Sequence, residues 1–307
     1  MSLLIVGTVA FDSIETPFGK AEKTVGGAAT YIALSASAFT RKLGIVSVVG
    51  DDFPMTAIDE FHKRGIDTSG LQIERGKKSF YWSGRYHTDM NSRETLITEL
   101  NVLADFQPVV PQSFRSADFL MLGNLTPAVQ QQVMSQMTKR PKLIVMDTMD
   151  YWMKSMPREL AETISRVDVL TINDEEARLL SGEYSLVRAA QKIMKMGPKY
   201  LIIKKGEHGA LLFYDKKVFF APALPLEEVF DPTGAGDSFA GGFIGYLDKT
   251  NDTSFDNMKR AIIFGSAIAS FCVEKFGILR LLELSAADLE ERVQEFIDLV
   301  QFDISLE

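Results

Sequence analysis

Asp231-Pro232-Thr233-Gly234-Ala235-Gly236-Asp237-Ser238-Phe239-Ala240-Gly241-Gly242-Phe243 is the stretch on which the reading of this 307-residue chain turns. Two glycines within three residues, ahead of a small apolar run, predict a tight turn whose N–H groups point outward from the first turn of a helix. Such a turn attracts anions, because unpaired amides and the helix dipole put partial positive charge at one spot. A phosphate, or the charge that develops on a phosphoryl group in transfer, would be stabilised there. Asp237 is the odd residue. An aspartate at the start of a helix serves ordinarily as a cap or a partner for the dipole. Beside a phosphate it is repelled, unless it accepts a proton from a hydroxyl attacking that phosphate, which makes Asp237 a candidate general base.

The rest of the composition suits a small-molecule enzyme. A hydrophobic share of 46% with 24% charged residues is that of a globular domain with a sizeable core, and excludes a disordered or fibrous chain. The net charge of −8 argues against a nucleic-acid or anionic-membrane surface, both of which need clustered Lys and Arg. The single cysteine, Cys272, lies in the apolar run Ala267 to Val273, so it forms no disulfide within the chain and reads as a buried thiol. A reducing, cytoplasmic location is expected. The start of the chain has no basic n-region, and no run reaches 18 apolar residues, so no membrane span is expected. His62 and His87 have no partners spaced for a metal site.

In chain order, Leu3 to Val6 reads as a buried strand with Asp12 shortly beyond it, where open α/β sheets bind ligands; a turn aspartate is the alternative. Gly26 and Gly27 open a helix of small residues that can approach a ligand or pack tightly on a sheet. Four further apolar runs, Phe119 to Asn124, Leu143 to Thr148, Val167 to Asn173 and Tyr200 to Gly206, end in polar or glycine residues and are separated by helical segments. They predict an α/β fold with a central, mostly parallel sheet covered by helices on both faces, its ligand crevice at the strands' C-terminal ends. Asn124 and Asp147 are therefore site candidates as well as cap or turn residues. Asn173 with Glu176 is a capping box pattern. Lys204 and Lys205 reach either phosphate or solvent. Residues 77 to 99 differ in character: aromatic and β-branched residues alternate roughly around a polar turn at Thr88 to Ser92, which predicts a hairpin. With residues 14 to 25 it would make a small β-sheet lid over one domain spanning 1 to 307. Lids exclude water, as phosphoryl transfer requires. Tyr81 and Trp82 would pack on substrate, on a second subunit or within the sheet. Arg85 and Arg93 are solvated strand charges, or else one of them reaches under the lid toward an anionic substrate group.

Asp231 to Phe239 closely resembles the C-terminal signature of the ribokinase-like, or PfkB, carbohydrate kinases, D-[TP]-T-G-A-G-D-[ST]-F. The resemblance implies that Asp237 is the catalytic base and that the amides of Gly234, Ala235 and Gly236 form the anion hole. Asp12 would bind substrate hydroxyls, and Gly26 and Gly27 would border the substrate. Tyr31 stands where many sugar kinases have asparagine, so a ring would line the substrate wall. Asn173 and Glu176 resemble the N-x-x-E motif that lies near Mg2+ and the nucleotide phosphates, often through water, which suits a metal that keeps much of its hydration shell. Gly206 to Gly209 resembles the G-x-x-G turn at the nucleotide, with Lys205 beside it. The helix containing Ala267 would border adenine. Asp231 and Thr233 would hold a monovalent cation such as K+, and lids would pair two copies into a dimer.

The function implied is an ATP-dependent kinase acting on a primary alcohol of a small sugar or sugar-like substrate. A nucleoside kinase shares every catalytic residue, and the lid aromatics together with Tyr31 suit a base. A non-catalytic ligand sensor on the same fold has no need of Asp237. No P-loop, dinucleotide fingerprint or nucleophile elbow occurs.

Overall fold

The computed structural model describes residues 1–301. Strands β1 (Leu3–Val6), β2 (Ala10–Thr16) and β3 (Gly19–Gly26) lead into α1 (Ala28–Ala36), followed by β4 (Leu43–Gly50), α2 (Met55–Lys63), β5 (Ile66–Glu74), β6 (Tyr81–Tyr86) and β7 (Arg93–Glu99). An alternating series comes next: β8 (Phe119–Leu122), α3 (Pro127–Gln136), β9 (Leu143–Asp147), α4 (Asp150–Ser155), α5 (Pro157–Ile164), β10 (Val169–Asn173), α6 (Asp174–Ser181), α7 (Leu186–Met194), β11 (Tyr200–Lys204), β12 (Ala210–Tyr214) and β13 (Lys217–Ala221). Helices α8 (Ala235–Thr250), α9 (Phe255–Cys272), α10 (Leu279–Glu283) and α11 (Ala286–Val300) complete the described chain.

The main sheet has nine strands in the order β13-β12-β11-β10-β9-β8-β1-β4-β5. From β5 to β11 every neighbouring pair is parallel, while β12 runs antiparallel to both β11 and β13. The apolar runs expected as strands are strands. The edge strands β5 and β13 lack that continuous apolar signal, because an edge strand needs to bury only part of its surface.

Each central strand sends alternate side chains into two separate cores, as the two-residue period of a strand dictates. Leu3, Ile5, Leu143 and Val145 pack with residues of α1, α2, α8, α9 and α11 on one face. Leu4, Val6, Ile144 and Met146 pack with residues of α3 to α7 on the other. Ser285-Ala286-Ala287-Asp288, a capping pattern ahead of a charged amphipathic stretch, predicts a helix from Ser285 to Phe302; Ser285 and Asp288 do form the capping box of α11, and Phe302 lies outside the described residues.

The second sheet is the lid, in the order β3-β2-β6-β7. Strands β2 and β6 pair in parallel and the outer pairs are antiparallel. It begins at Ala10 rather than near residue 14, so Asp12 is part of a lid strand and not of a loop beyond β1. Its β6 and β7 start and end inside the 77–99 segment expected for it.

Candidate active site

The turn at Asp231–Gly236 is built from its own backbone needs. Gly234 adopts φ 75°, a left-handed conformation that favours glycine, and starts α8. A side chain there would also collide with the ring of Tyr31, which lies 2.4 Å from where its Cβ would stand. Tyr31 is thus not on the substrate wall. It is 1% exposed and wedged beneath the turn, a correction that follows from the inward-facing position of residue 31 on a helix buried along its whole length. Asp231 holds the turn from behind: its two oxygens accept N–H bonds from Thr233 and Gly277 at 2.9 and 2.8 Å. The Thr233 hydroxyl meets the Tyr86 hydroxyl from the lid at 3.3 Å. Asp231 and Thr233, expected at a cation, brace the turn here. The Ala235 N–H donates to the Pro232 carbonyl at 3.2 Å, so of the three expected anion-hole amides this one is already engaged within the turn.

Asp237 lies in the first turn of α8 and stays partly accessible. Burial, reinforced by the Asp147 carboxylate, pushes its pKa up to about 7, against the opposing pull of Lys204 and Arg93. Asp12 reaches the same cleft from β2. Its Oδ2 accepts the Gly27 N–H at 3.3 Å, and burial with the negative charges of Asp231 and Asp237 raises its pKa to about 7, despite that hydrogen bond and Arg93. Gly26 has no room for a side chain, since a Cβ there would stand 1.9 Å from the Asp12 carboxylate. Gly27, at φ 90°, turns the chain into α1 with Thr8 holding the helix start through its carbonyl and hydroxyl.

The opposite end of the cleft is formed by β9, β10 and β11. Asn173 and Glu176 make a complete capping box, each side chain bonding the other's backbone N–H at 2.8 Å. Glu176 is raised to about 7, first by burial and then by Asp147, with Lys204 opposing. Lys204, rather than Lys205, reaches the cleft: adjacent residues at a strand end point to opposite faces, and the Lys204 ammonium pairs with Asp147 at 2.7 Å. Lys205 shapes the next turn through its backbone, donating to the Gly209 carbonyl at 2.8 Å. In that turn Gly206 and Gly209 both have positive φ, and a side chain at Gly209 would strike the Ala221 carbonyl. Asn91 at the lid tip touches Gly206. Asn124 is spent on Trp152, whose indole N–H it accepts at 2.9 Å. Ala267 is 0% exposed within the core of α9, so its side chain cannot border a nucleotide; that expectation is corrected, and partly accessible Ile263 and Ser266 occupy the outer side of the helix.

Strand register sorts the lid. Asp12 pairs with Trp82 and Trp82 with Thr98, so the Trp82 indole shares the cleft face with Asp12. The indole lies over Gly84, where any side chain would collide with it, and its N–H donates to Thr95 at 3.3 Å. Arg93 stacks over the Trp82 ring at 5.7 Å and lies beside the Tyr86 hydroxyl, which is the first cause of its raised pKa, with Glu176 and Asp237 adding to it against the cost of burial. Arg85 is on the outer face, 46% exposed and paired with Glu15 at 3.1 Å, which corrects its expected role at the substrate. The same outer face carries exposed Leu96 and Ile97 and is the one an expected lid-to-lid dimer would use. Tyr86 was missed by sequence reading; its strand period with Trp82 was the available signal.

Among the described residues no group of three or more His, Cys, Asp or Glu side chains is placed to hold a metal ion, and no helix is long and apolar enough to cross a membrane. Mg2+ keeps waters and phosphate oxygens as ligands and needs only one or two carboxylates, so it requires no such cage; Glu176, a buried carboxyl with Asp147 and Lys204 beside it, has the chemistry for a contact through water.

The family described as pfkB family carbohydrate kinase matches residues 5–283. A cytidine kinase of Thermococcus kodakarensis is 31% identical over 249 residues, covering 80% of this chain and 87% of that protein. Among solved structures, a nucleoside kinase of Burkholderia thailandensis in complex with inosine superimposes with a TM-score of 0.77 at 19% identity, over 97% of this chain and 99% of that one. An Escherichia coli chain in complex with ATP and Mg2+ superimposes with a TM-score of 0.76 at 18% identity, over 95% of this chain and 99% of that one.

Proposed function

The chain belongs to the pfkB family of carbohydrate kinases, phosphotransferases with an alcohol acceptor, and from that premise we propose that it transfers the γ-phosphoryl group of ATP to the primary hydroxyl of a nucleoside. Asp237 accepts the hydroxyl proton as the oxygen attacks the γ-phosphorus in line; the new O–P bond forms, the bond to the β-phosphate oxygen breaks, and ADP departs. The Gly234–Gly236 turn and the start of α8 stabilise charge on the equatorial oxygens. Mg2+ bound with ATP would supply further neutralisation of the phosphate oxygens, and Glu176 would be the residue that holds it, through water. Asp12, held by Gly27, accepts hydrogen bonds from the sugar hydroxyls.

The observation that carries the nucleoside, ranked second to a free sugar by sequence alone, is the pairing of Asp12 with Trp82 across β2 and β6. A ribose held by Asp12 places whatever its C1 carries beneath an indole already fixed by Thr95 and Arg93. Stacking of a base on an aromatic ring contributes about 1–3 kcal/mol, which a free pentose forgoes. The similarity to a cytidine kinase supports the same class. The test is ADP release with MgATP over cytidine, uridine, adenosine, inosine, ribose and fructose 6-phosphate. A kcat/KM for at least one nucleoside tenfold or more above every sugar is expected; a free sugar or sugar phosphate in first place would overturn the acceptor assignment.

A further inference from the structure

Lys204 is the last residue of β11, and its ammonium pairs with Asp147, the last residue of β9, at 2.7 Å. Strand β10 lies between them, so the pair spans two strand spacings across the crevice, about 9–10 Å of sheet. Both strands are already hydrogen-bonded to β10. The sheet therefore has no need of this bridge, and enclosing two charges, 17% and 8% exposed, carries a desolvation cost that structure alone does not recover.

The ammonium has a second neighbour. A Cβ on Gly236 would stand 3.1 Å from Lys204 Nζ, which puts the cation against the backbone of the anion-binding turn. Asp147 accepts one of its three N–H donors, and the fork of the remaining two is directed by that fixed bond. Three carboxylates, Asp147, Glu176 and Asp237, act on this corner of the cleft, and without a cation it would repel a polyphosphate. Arg93, the other cation near Asp237, stands on β7, the peripheral strand of the small sheet. Lys204 belongs to the rigid sheet.

We propose that Lys204 is a catalytic residue of the phosphoryl transfer, an ammonium that touches the γ-phosphoryl oxygens above the Gly236 turn, with Asp147 as its positioning residue. The inference rests on the phosphoryl-transfer part of the proposed function and not on the acceptor.

The test is binding of ATP and of ADP, each with Mg2+, to the full chain by calorimetry, beside turnover of whichever acceptor the wild type uses. The binding arm needs no acceptor, so failure to find a nucleoside substrate leaves it intact. Lys204→Met is expected to weaken ATP at least tenfold while changing ADP less than threefold, and to lower kcat by about 10²–10³-fold with the acceptor KM little changed. Lys204→Arg should restore at least tenfold of the lost kcat. Asp147→Asn should narrow the ATP-to-ADP preference as well, a change that a merely structural bridge would not produce. Should Lys204→Met not fold, the neutral pair Lys204→Met/Asp147→Leu removes both buried charges together and must show the same loss of ATP preference. A folded variant without Lys204 that keeps the wild-type ATP-to-ADP ratio and a kcat within threefold of wild type overturns the proposal.

Discussion

The two walls of the cleft are made differently. The floor, formed by the ends of β9 to β11 and the start of α8, holds its charges in fixed pairs: Lys204 with Asp147, and Asn173 with Glu176. The roof is a four-stranded lid whose outermost strand, β7, is exposed along its entire length, and whose functional side chains, Trp82 and Arg93, lean on one another more than on the body of the protein. Rigid elements suit groups that must meet a developing charge within tenths of an ångström, whereas a peripheral sheet suits groups that select what enters. The floor should therefore govern the rate of transfer and the lid the choice of acceptor.

The hardest test of that division is Asp237→Asn, which keeps the shape of the floor and removes the base; kcat should fall by about 10²–10⁴-fold while ATP affinity changes little. A smaller loss would move the proton acceptor elsewhere. Next comes Trp82→Ala in the lid. It should raise KM for the nucleoside by about 10- to 100-fold, equivalent to the 1–3 kcal/mol of stacking, and leave KM for ATP within about twofold. An equal rise in both would mean that the lid is not a separate selector.

Acidity provides a third probe. Asp237 and Asp12 are both raised to about 7, chiefly by burial, and face Arg93 from the lid with Asp147 and Lys204 from the sheet around Asp237, and Asp231 beside Asp12. In the proposed transfer both act as acceptors and must be ionised, so kcat/KM of the free enzyme is expected to decline below pH 7 with a slope between one and two. The effect on stability has the opposite sign. An acid whose folded pKa exceeds its unfolded value contributes stability that is complete below the unfolded pKa and is lost progressively as pH rises from there to about 7, so the melting temperature of the free protein should fall between about pH 4 and 7, level off above that, and fall less steeply in Asp237→Asn. The smallest effect is predicted for Arg85→Ala, on the outer face of the lid: an exposed ion pair with Glu15 contributes about 0–1 kcal/mol, and kcat/KM should stay within twofold. Comparison with Arg93→Ala, measured by the same assay, separates the two faces of one hairpin.

Much of the floor was legible in the sequence because its chemistry is local. The Gly234–Asp237 turn, the glycine pair beside Asp12 and the Asn173–Glu176 capping box are each set by residues a few positions apart, and the apolar runs of a sheet buried on both faces mark the strands directly. The lid was legible only as a hairpin. Which arginine faces the cleft depends on which face of the hairpin packs on the body: Arg93 pairs with Tyr86 on the cleft side and Arg85 with Glu94 on the other, and the sequence of the hairpin alone does not say which of the two faces is turned inward. Tyr31 and Ala267 failed for a related reason: on α1, enclosed along its whole length, and on α9, whose small and apolar residues continue past its buried face, periodicity does not say which side chains see the ligand and which the core. Lys204 and Lys205 differ only in which face of the sheet they leave, a distinction one residue wide.

The partition of every central strand between two cores has an evolutionary consequence. Asp237 and Tyr31 lie on helices packed on one face, with Gly27 at the head of one of them, while α3 to α7 close the other and bring Glu176 at the start of α6. Drift in the α3 to α7 layer can thus change thermal tolerance or surface partners with little effect on catalytic geometry. The opposite layer is bound to the chemistry, and a lineage that changes acceptor would be expected to do so through the lid while leaving that layer nearly untouched.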